Sequence, residues 1–408
     1  MKTRLIILFV CVVGLLWSCG GTQPADAPPL EPAADTAPAI TSTPVGPQRI
    51  SPSHPMIRYT GRVDTRDPEA VSFSYPGVSI RVRYTGSELR VILDDNATTQ
   101  SENNTNYFSV IVDGAKPVRM KTTPEQKEYI LARKPGDGEH EVELFKRSES
   151  SHGANLNEGK VTVRGFIIDG GAEMLPPVER KLKMEFIGDS ITCGYGNELS
   201  VDNPDNYHFT TLNSNAWNAW GAIAARRLDA SYVAVAYSGR GVVRNYSGIE
   251  APTIPDMYLT TLPDDPDSDQ WDPARYQPDI VVINLGTNDF SIGLKPGKAL
   301  DELEKQYGLR YETFLQELLG FYPGATFIIA VGPMLSDEFP KKYKALTRVR
   351  RALQKLVKSF KDTGNSNVHF LELAQQHGPF GEDYHPTVAT HGRMADELIA
   401  FIESLESE

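Results

Sequence analysis

The sequence predicts an antiparallel β-sandwich of jelly-roll type followed by a doubly wound α/β unit with helices on both faces of a parallel sheet. Two patterns carry that expectation. Across residues 50–172 apolar side chains recur at period two, with turn signals between the runs and no helical period. From residue 182 onward short apolar runs alternate with amphipathic stretches, as repeated β–α units require. At 408 residues the chain is long enough for two folded units.

The first 49 residues stand apart from both patterns. Met1-Lys2-Thr3-Arg4 is basic and residues 5–16 are almost wholly apolar, the layout of a secretory signal spanning residues 1–18. That core is short for a membrane span. Leu16-Trp17-Ser18-Cys19, followed by Gly20 and Gly21, resembles a bacterial lipobox, with Trp17 where a small or aliphatic residue is usual. The resemblance implies cleavage before Cys19, lipidation of Cys19 and an exported lipoprotein held on the cell envelope, with plain secretion as the alternative. Residues 19–49, rich in Pro, Ala, Thr and acidic residues without apolar period, read as a flexible tether.

Loss of Lys2 and Arg4 with the signal takes the formal charge from −12 to −14. That acidic balance argues against a nucleic-acid surface and favours a neutral ligand. The cysteines are Cys11, Cys19 and Cys193, with Cys11 inside the signal, so the folded body has no disulfide framework.

In the first unit, residues 50–173, Val78, Ile80 and Val82 alternate with Ser79, Arg81 and Arg83. A turn at Thr85-Gly86-Ser87 leads to Leu89, Val91 and Leu93 on one face, and Phe108, Val110 and Val112 end at the Asp113-Gly114 turn. Residues 140–145 and 161–168 add further strands. Such a unit either frames a carbohydrate substrate or only buttresses its neighbour. Met174-Leu175-Pro176-Pro177-Val178 marks the joint.

The second unit, residues 180–408, opens with a strand at 182–187 and continues with a helix near 215–228 and strands at 232–236 and 279–285. A helix over 300–319, a strand at 326–331, a helix over 341–360, a strand at 368–373 and a helix over 388–405 complete it. Leu303, Tyr307, Phe314, Leu315 and Leu318 fall on one face of a 3.6-residue period, so the first long helix should bury that stripe.

The unusual residues of this unit sit where strands end. Gly188-Asp189-Ser190 closes the first strand, Gly239 in Ser238-Gly239-Arg240 follows the second, Asn288 in Gly286-Thr287-Asn288-Asp289 follows the third, and His385 follows the last. In a parallel sheet those ends share one edge. A hydroxyl nucleophile, a backbone N–H without a Cβ in the way, a side-chain amide and an imidazole base are what acyl transfer needs. Cys193 is a rival nucleophile, but Ser190 holds the strand-end position and Cys193 suits a small buried filler.

Those four blocks resemble the SGNH, or GDSL-like, hydrolases over most of residues 180–408. With the preceding β-sandwich, Gly188 to Tyr195 and Asp383-Tyr384-His385-Pro386 resemble carbohydrate esterase family 2 more specifically. That resemblance implies a serine-dependent esterase removing O-acetyl groups from xylan or glucomannan. It implies Ser190 as nucleophile, His385 as base, and an oxyanion hole of the Ser190 N–H, the Gly239 N–H and the Asn288 amide. It favours Asp383 as the acid behind His385, with Glu382 or a backbone carbonyl as alternatives.

Tyr195, Tyr207, Trp271 and Tyr384 fall in expected loops near the same edge and either stack on a sugar ring or pack within the core or their loops, and Arg240 either braces its loop or binds substrate hydroxyls. The other seven histidines, His54, His140, His152, His208, His369, His377 and His391, are expected on the surface or satisfied within the fold. No metal-ligand spacing, phosphate-cradling loop or G-x-S-x-G elbow occurs, so neither metal nor cofactor is expected. Two other functions compete: an esterase of the same fold acting on a lipid, thioester or peptidoglycan O-acetyl group, and a catalytically idle carbohydrate-binding lipoprotein.

Overall fold

A computed structural model describes residues 46–98, 101, 105–133, 138–151 and 157–405. The expected signal, Cys19 and most of the tether lie outside the described residues. Two antiparallel sheets come first, built from β1 (Gln48–Ile50), β2 (Ile57–Thr60), β3 (Val71–Phe73), β4 (Ser79–Thr85), β5 (Glu88–Asp95), β6 (Tyr107–Val112), β7 (Val118–Lys121), β8 (Glu128–Arg133), β9 (Glu139–Lys146), β10 (Val161–Ile168) and β11 (Met174–Leu175). One sheet runs β1-β10-β5-β8 with β3 also on β10, the other β11-β4-β9-β6-β7 with β2 on β4. Alternate residues of β5, Leu89, Val91 and Leu93, and of β9, Val142 and Leu144, share one apolar core, as their period-two pattern requires.

Two boundaries differ from expectation. Gln48 and Arg49, at the end of the expected tether, pair with Ile168 and Ile167 of β10. The start of the expected joint, Met174 and Leu175, pairs with Tyr84 and Arg83 of β4. Both are short edge strands whose pairing depends on a distant partner and leaves no local signature.

The parallel sheet follows, with β12 (Leu182–Gly188), β13 (Ala230–Ala236), β14 (Ile280–Asn284), β15 (Thr326–Val331) and β16 (Val368–Glu372) in the order β13-β12-β14-β15-β16. Its helices are α1 (Ser190–Cys193), α2 (Trp220–Arg227), α3 (Ile254–Met257), α4 (Lys298–Phe321), α5 (Ala345–Asp362) and α6 (Val388–Leu405). Alternation along the strands divides the core: Val281, Ile283, Phe327 and Ile329 pack with α4 and α5, whereas Phe186, Val282 and Ile328 pack with α2 and α6. The predicted stripe on α4 is buried.

Sheet order places the site. The chain starts in β12, steps to β13 on one side, then returns to β14 on the other, so the end of β12 is the topological switch point. In register, Gly188 pairs with both Ala236 and Asn284, and Asn284 with Ala330. The loops after β12, β13 and β14 therefore leave the sheet at one level.

The two parts are joined by buried contacts. Arg62, with no exposed surface, lies 3.3 Å from Glu185 of β12, stacks over Tyr258 and donates to the Tyr258 carbonyl. Phe145 of β9 stacks on Tyr232 of β13 at 6.1 Å between centroids. The sandwich is built against the strand that ends in Ser190.

Candidate active site

Asp189 follows β12 and caps α1, its Oδ1 accepting from the Ile191 N–H at 3.0 Å. Ser190 thereby occupies the first turn of a helix, where its N–H has no partner among the described residues. Cys193, on the same turn, is fully buried, and burial pushes its thiol well above the ordinary value. A thiol held protonated in this way makes a poor nucleophile, as its filler role anticipates.

The last loop is tied to the first through backbone. Glu382 donates its N–H to the Gly196 carbonyl at 3.2 Å, while Phe380 and Val201 exchange bonds of 2.7 and 2.9 Å. A Cβ on Gly196, whose φ is +52°, would lie 2.4 Å from the Glu382 Cβ, so only glycine lets the two loops meet.

Next, Asp383 (φ 48°, ψ 41°) and Tyr384 (φ 63°) take the left-handed conformation in succession. That turn brings the Glu382 carbonyl to His385, where it accepts from the backbone N–H at 2.9 Å and lies 2.9 Å from Nδ1. A carbonyl can only accept, so Nδ1 carries the proton and Nε2 keeps its lone pair. Nε2 lies 2.7 Å from Ser190 Oγ. Burial pushes the His385 imidazole down to about 4, against the raising effects of the Glu382 carbonyl and the Asp383 charge.

The expectation that the Asp383 carboxylate supports His385 is corrected by this geometry. In the left-handed turn its carboxylate meets the 207–209 loop: Oδ2 accepts from the Tyr195 hydroxyl at 2.5 Å and the Phe209 N–H at 3.1 Å, and Oδ1 lies 2.8 Å from His208 Nδ1. Burial raises its pKa, but the bonds from Tyr195 and His208 outweigh burial and hold it below the usual carboxylate value. Nor does the Glu382 carboxylate reach His385. It accepts from Thr210 N–H (2.8 Å), Thr210 Oγ1 (2.7 Å) and Asn213 Nδ2 (2.7 Å), which anchors the turn. The backbone carbonyl, the third alternative, is the one observed.

Asn288 links the other two loops. Its Nδ2 donates to Asp189 Oδ2 at 3.1 Å and to the Arg240 carbonyl at 2.9 Å, so it sits between the residue before Ser190 and the residue after Gly239. Both amide hydrogens have acceptors at rest, and donation to an oxyanion requires one to be shared or exchanged. Gly239, at φ +77°, adopts the left-handed conformation glycine tolerates, and its N–H has no partner among the described residues. The loop behind it is held by the buried Asp289 carboxylate, which accepts from the N–H groups of Val242 (3.0 Å), Val243 (2.8 Å) and Arg244 (3.1 Å).

The expected sugar-stacking residues separate. Tyr384 and Tyr207 stand exposed on the loops beside His385, Tyr384 with its hydroxyl on Asp205. Tyr195 is committed inward, its ring stacked on the His385 imidazole. Arg240 lays its guanidinium over the Tyr237 ring at 4.7 Å, and no bond to Asp189 forms. Trp271 is the second correction: it is buried with Arg62 and Arg275 over its ring at 5.3 and 4.4 Å.

His208, one of the histidines expected on the surface or satisfied within the fold, has a side chain 76% exposed and joins the rim of this site through Asp383. The available signal was the run Tyr207-His208-Phe209, three rings in a loop otherwise made of turn formers.

A serine hydroxyl bonded to a carbonyl-supported imidazole, at the switch point of a 2-1-3-4-5 parallel sheet, defines a serine esterase of the SGNH class. Residues 186–393 match the GDSL-like Lipase/Acylhydrolase family and residues 59–177 match Carbohydrate esterase 2 N-terminal. The chain is 34% identical over 353 residues to the cellulase/esterase CelE of Acetivibrio thermocellus, covering 86% of this chain and 40% of that protein. It is 33% identical over 350 residues to an acetylxylan esterase / glucomannan deacetylase of Cellvibrio japonicus, covering 86% of this chain and 88% of that one. A family two carbohydrate esterase from Clostridium thermocellum, solved with cellohexaose, superposes with a TM-score of 0.74 at 34% identity, covering 86% of this chain and 99% of that one. The chain belongs to carbohydrate esterase family 2 and is a carboxylic ester hydrolase.

Proposed function

We propose that this esterase removes O-acetyl groups from an acetylated polysaccharide of the xylan or glucomannan type. The observation that carries the reading is the 2.7 Å contact between Ser190 Oγ and His385 Nε2, with Nδ1 on the Glu382 carbonyl. The name of the Cellvibrio relative, aligned over 86% of this chain, supplies the substrate class.

In this mechanism Nε2 takes the Ser190 proton as Oγ attacks the acetyl carbonyl. The N–H groups of Ser190 and Gly239 and the Asn288 amide meet the oxyanion. As the tetrahedral adduct collapses, His385 returns the proton to the sugar oxygen, leaving an acetyl-enzyme that water hydrolyses by the same route. Tyr207 and Tyr384 offer exposed ring faces beside the site to sugar C–H groups.

Acetate release from acetylated xylan and acetylated glucomannan, compared between wild type and Ser190→Ala, tests the reading. Release that persists in the variant, or a strong preference for long-chain nitrophenyl esters over the acetate, overturns it. The lipobox-like Cys19 supports an exported enzyme anchored on the cell envelope by lipid, with residues 19–47 as its tether. Metabolic labelling with a palmitate analogue that is lost in Cys19→Ser checks the anchor.

A further inference from the structure

The Asp383 carboxylate makes no hydrogen bond to His385, yet it holds the ring that stacks on the imidazole. Tyr195 is fastened at both ends: its N–H donates to the Ser190 carbonyl at 3.1 Å, and its hydroxyl donates to Asp383 Oδ2 at 2.5 Å. Between these anchors its ring lies against the His385 imidazole, with centroids 4.0 Å apart and planes 23° from parallel. Phe209, whose N–H also binds Asp383, packs against the same tyrosine at 5.0 Å.

Backbone acceptance at Nδ1 leaves His385 underdetermined. The carbonyl on Nδ1 fixes a direction in the plane of the ring and leaves its tilt about that direction free, whereas a stacked ring removes the tilt. Building on the esterase mechanism proposed above, we infer that Asp383 is a positioning residue that acts through Tyr195. The carboxylate holds the tyrosine hydroxyl, the tyrosine ring sets the plane of the imidazole, and that plane aims Nε2 at Ser190 Oγ. A carboxylate two residues before the histidine thus serves the base without hydrogen-bonding to it. The cost of losing it is misalignment of the base, which at about 1 Å reaches 100-fold in rate.

Three variants of the full chain test this. Tyr195→Phe keeps the stacked ring and deletes only the hydroxyl bond; Asp383→Ala deletes the acceptor; Asp383→Asn retains an oxygen to accept from Tyr195. The expected result is a fall of about tenfold in kcat for Tyr195→Phe and for Asp383→Ala with KM unchanged, and near wild-type kcat for Asp383→Asn. The double variant Tyr195→Phe/Asp383→Ala is expected to match the worse single variant, because both break one chain of contacts.

A wild-type rate for Tyr195→Phe beside an impaired Asp383→Ala overturns the inference, as do multiplicative losses or wild-type rates in both. Thermal melts report folding separately, and the conservative Tyr195→Phe carries the test if Asp383→Ala unfolds. The same series is read by phenylmethanesulfonyl fluoride, where Ser190 Oγ bonds to sulfur, fluoride leaves and His385 takes the proton. That rate needs no acetyl substrate. Rapid sulfonylation without acetate release rejects the polysaccharide reading, while equal sulfonylation rates across the series reject the positioning role.

Discussion

One oxygen of Glu382 holds His385 twice, lying 2.9 Å from its backbone nitrogen and 2.9 Å from Nδ1. The base is thereby oriented by a neutral dipole, with the nearest carboxylates engaged elsewhere.

Acid tolerance follows. Burial places the His385 pKa at about 4, below the ordinary histidine value. The imidazole must be neutral to accept the Ser190 proton, so kcat/KM is expected to stay level from neutral pH down to about 5 and to fall about tenfold per unit once pH drops below the pKa. A pH–rate profile with nitrophenyl acetate checks this. An acid limb centred near the ordinary value of about 6.5 would contradict it.

Glu382→Gln separates the carbonyl from the carboxylate. The main-chain acceptor survives, while the bonds from Thr210 and Asn213 are weakened. The expected cost is about 1–3 kcal/mol of stability by urea denaturation, with kcat within about tenfold of wild type. A loss near 10,000-fold, the scale of removing a triad acid, would assign the carboxylate a direct role instead.

Asn288→Ala removes the amide that bridges Asp189 and the Arg240 carbonyl. If that amide stabilises the oxyanion, kcat is expected to fall about 100- to 1000-fold with little change in KM. Steady-state kinetics on acetylated oligosaccharide measure both, and an unchanged kcat removes Asn288 from the hole.

Arg62→Ala tests the seam between the sandwich and the parallel sheet. The Arg62–Glu185 pair is 0% and 2% exposed, so deleting one partner leaves a buried charge without its counterion. The expected loss is about 3–5 kcal/mol, read as a shift of the denaturation midpoint. Because Glu185 lies in the strand that ends at Ser190, esterase activity and sandwich structure should be lost in one transition. A sandwich that melts separately would show that the seam is not cooperative.

Local pattern was enough for the architecture. Alternation such as Leu89, Val91 and Leu93 forces a half-buried strand, and the stripe from Leu303 to Leu318 forces a helix with one face inward; both depend on neighbours in sequence, and both are observed. The four strand-end blocks were legible for the same reason, since a parallel sheet brings its strand ends to one edge whatever the loops do.

What no local pattern contains is the path of the loops. Whether Asp383 or the Glu382 carbonyl supports His385 depends on two successive left-handed residues, 383 and 384, held there by contacts to residues 196 and 207–213. Sequence alone leaves Trp271 and Tyr195 open between sugar stacking and packing, and the structure buries one under arginines and sets the other against the catalytic imidazole. The sequence by itself determined which strands, helices and chemically equipped strand ends exist, because these follow from periodicity and topology. Only the tertiary structure decided which atom faces which within the site, because a hydrogen bond is a matter of a few tenths of an ångström between segments about 180 residues apart.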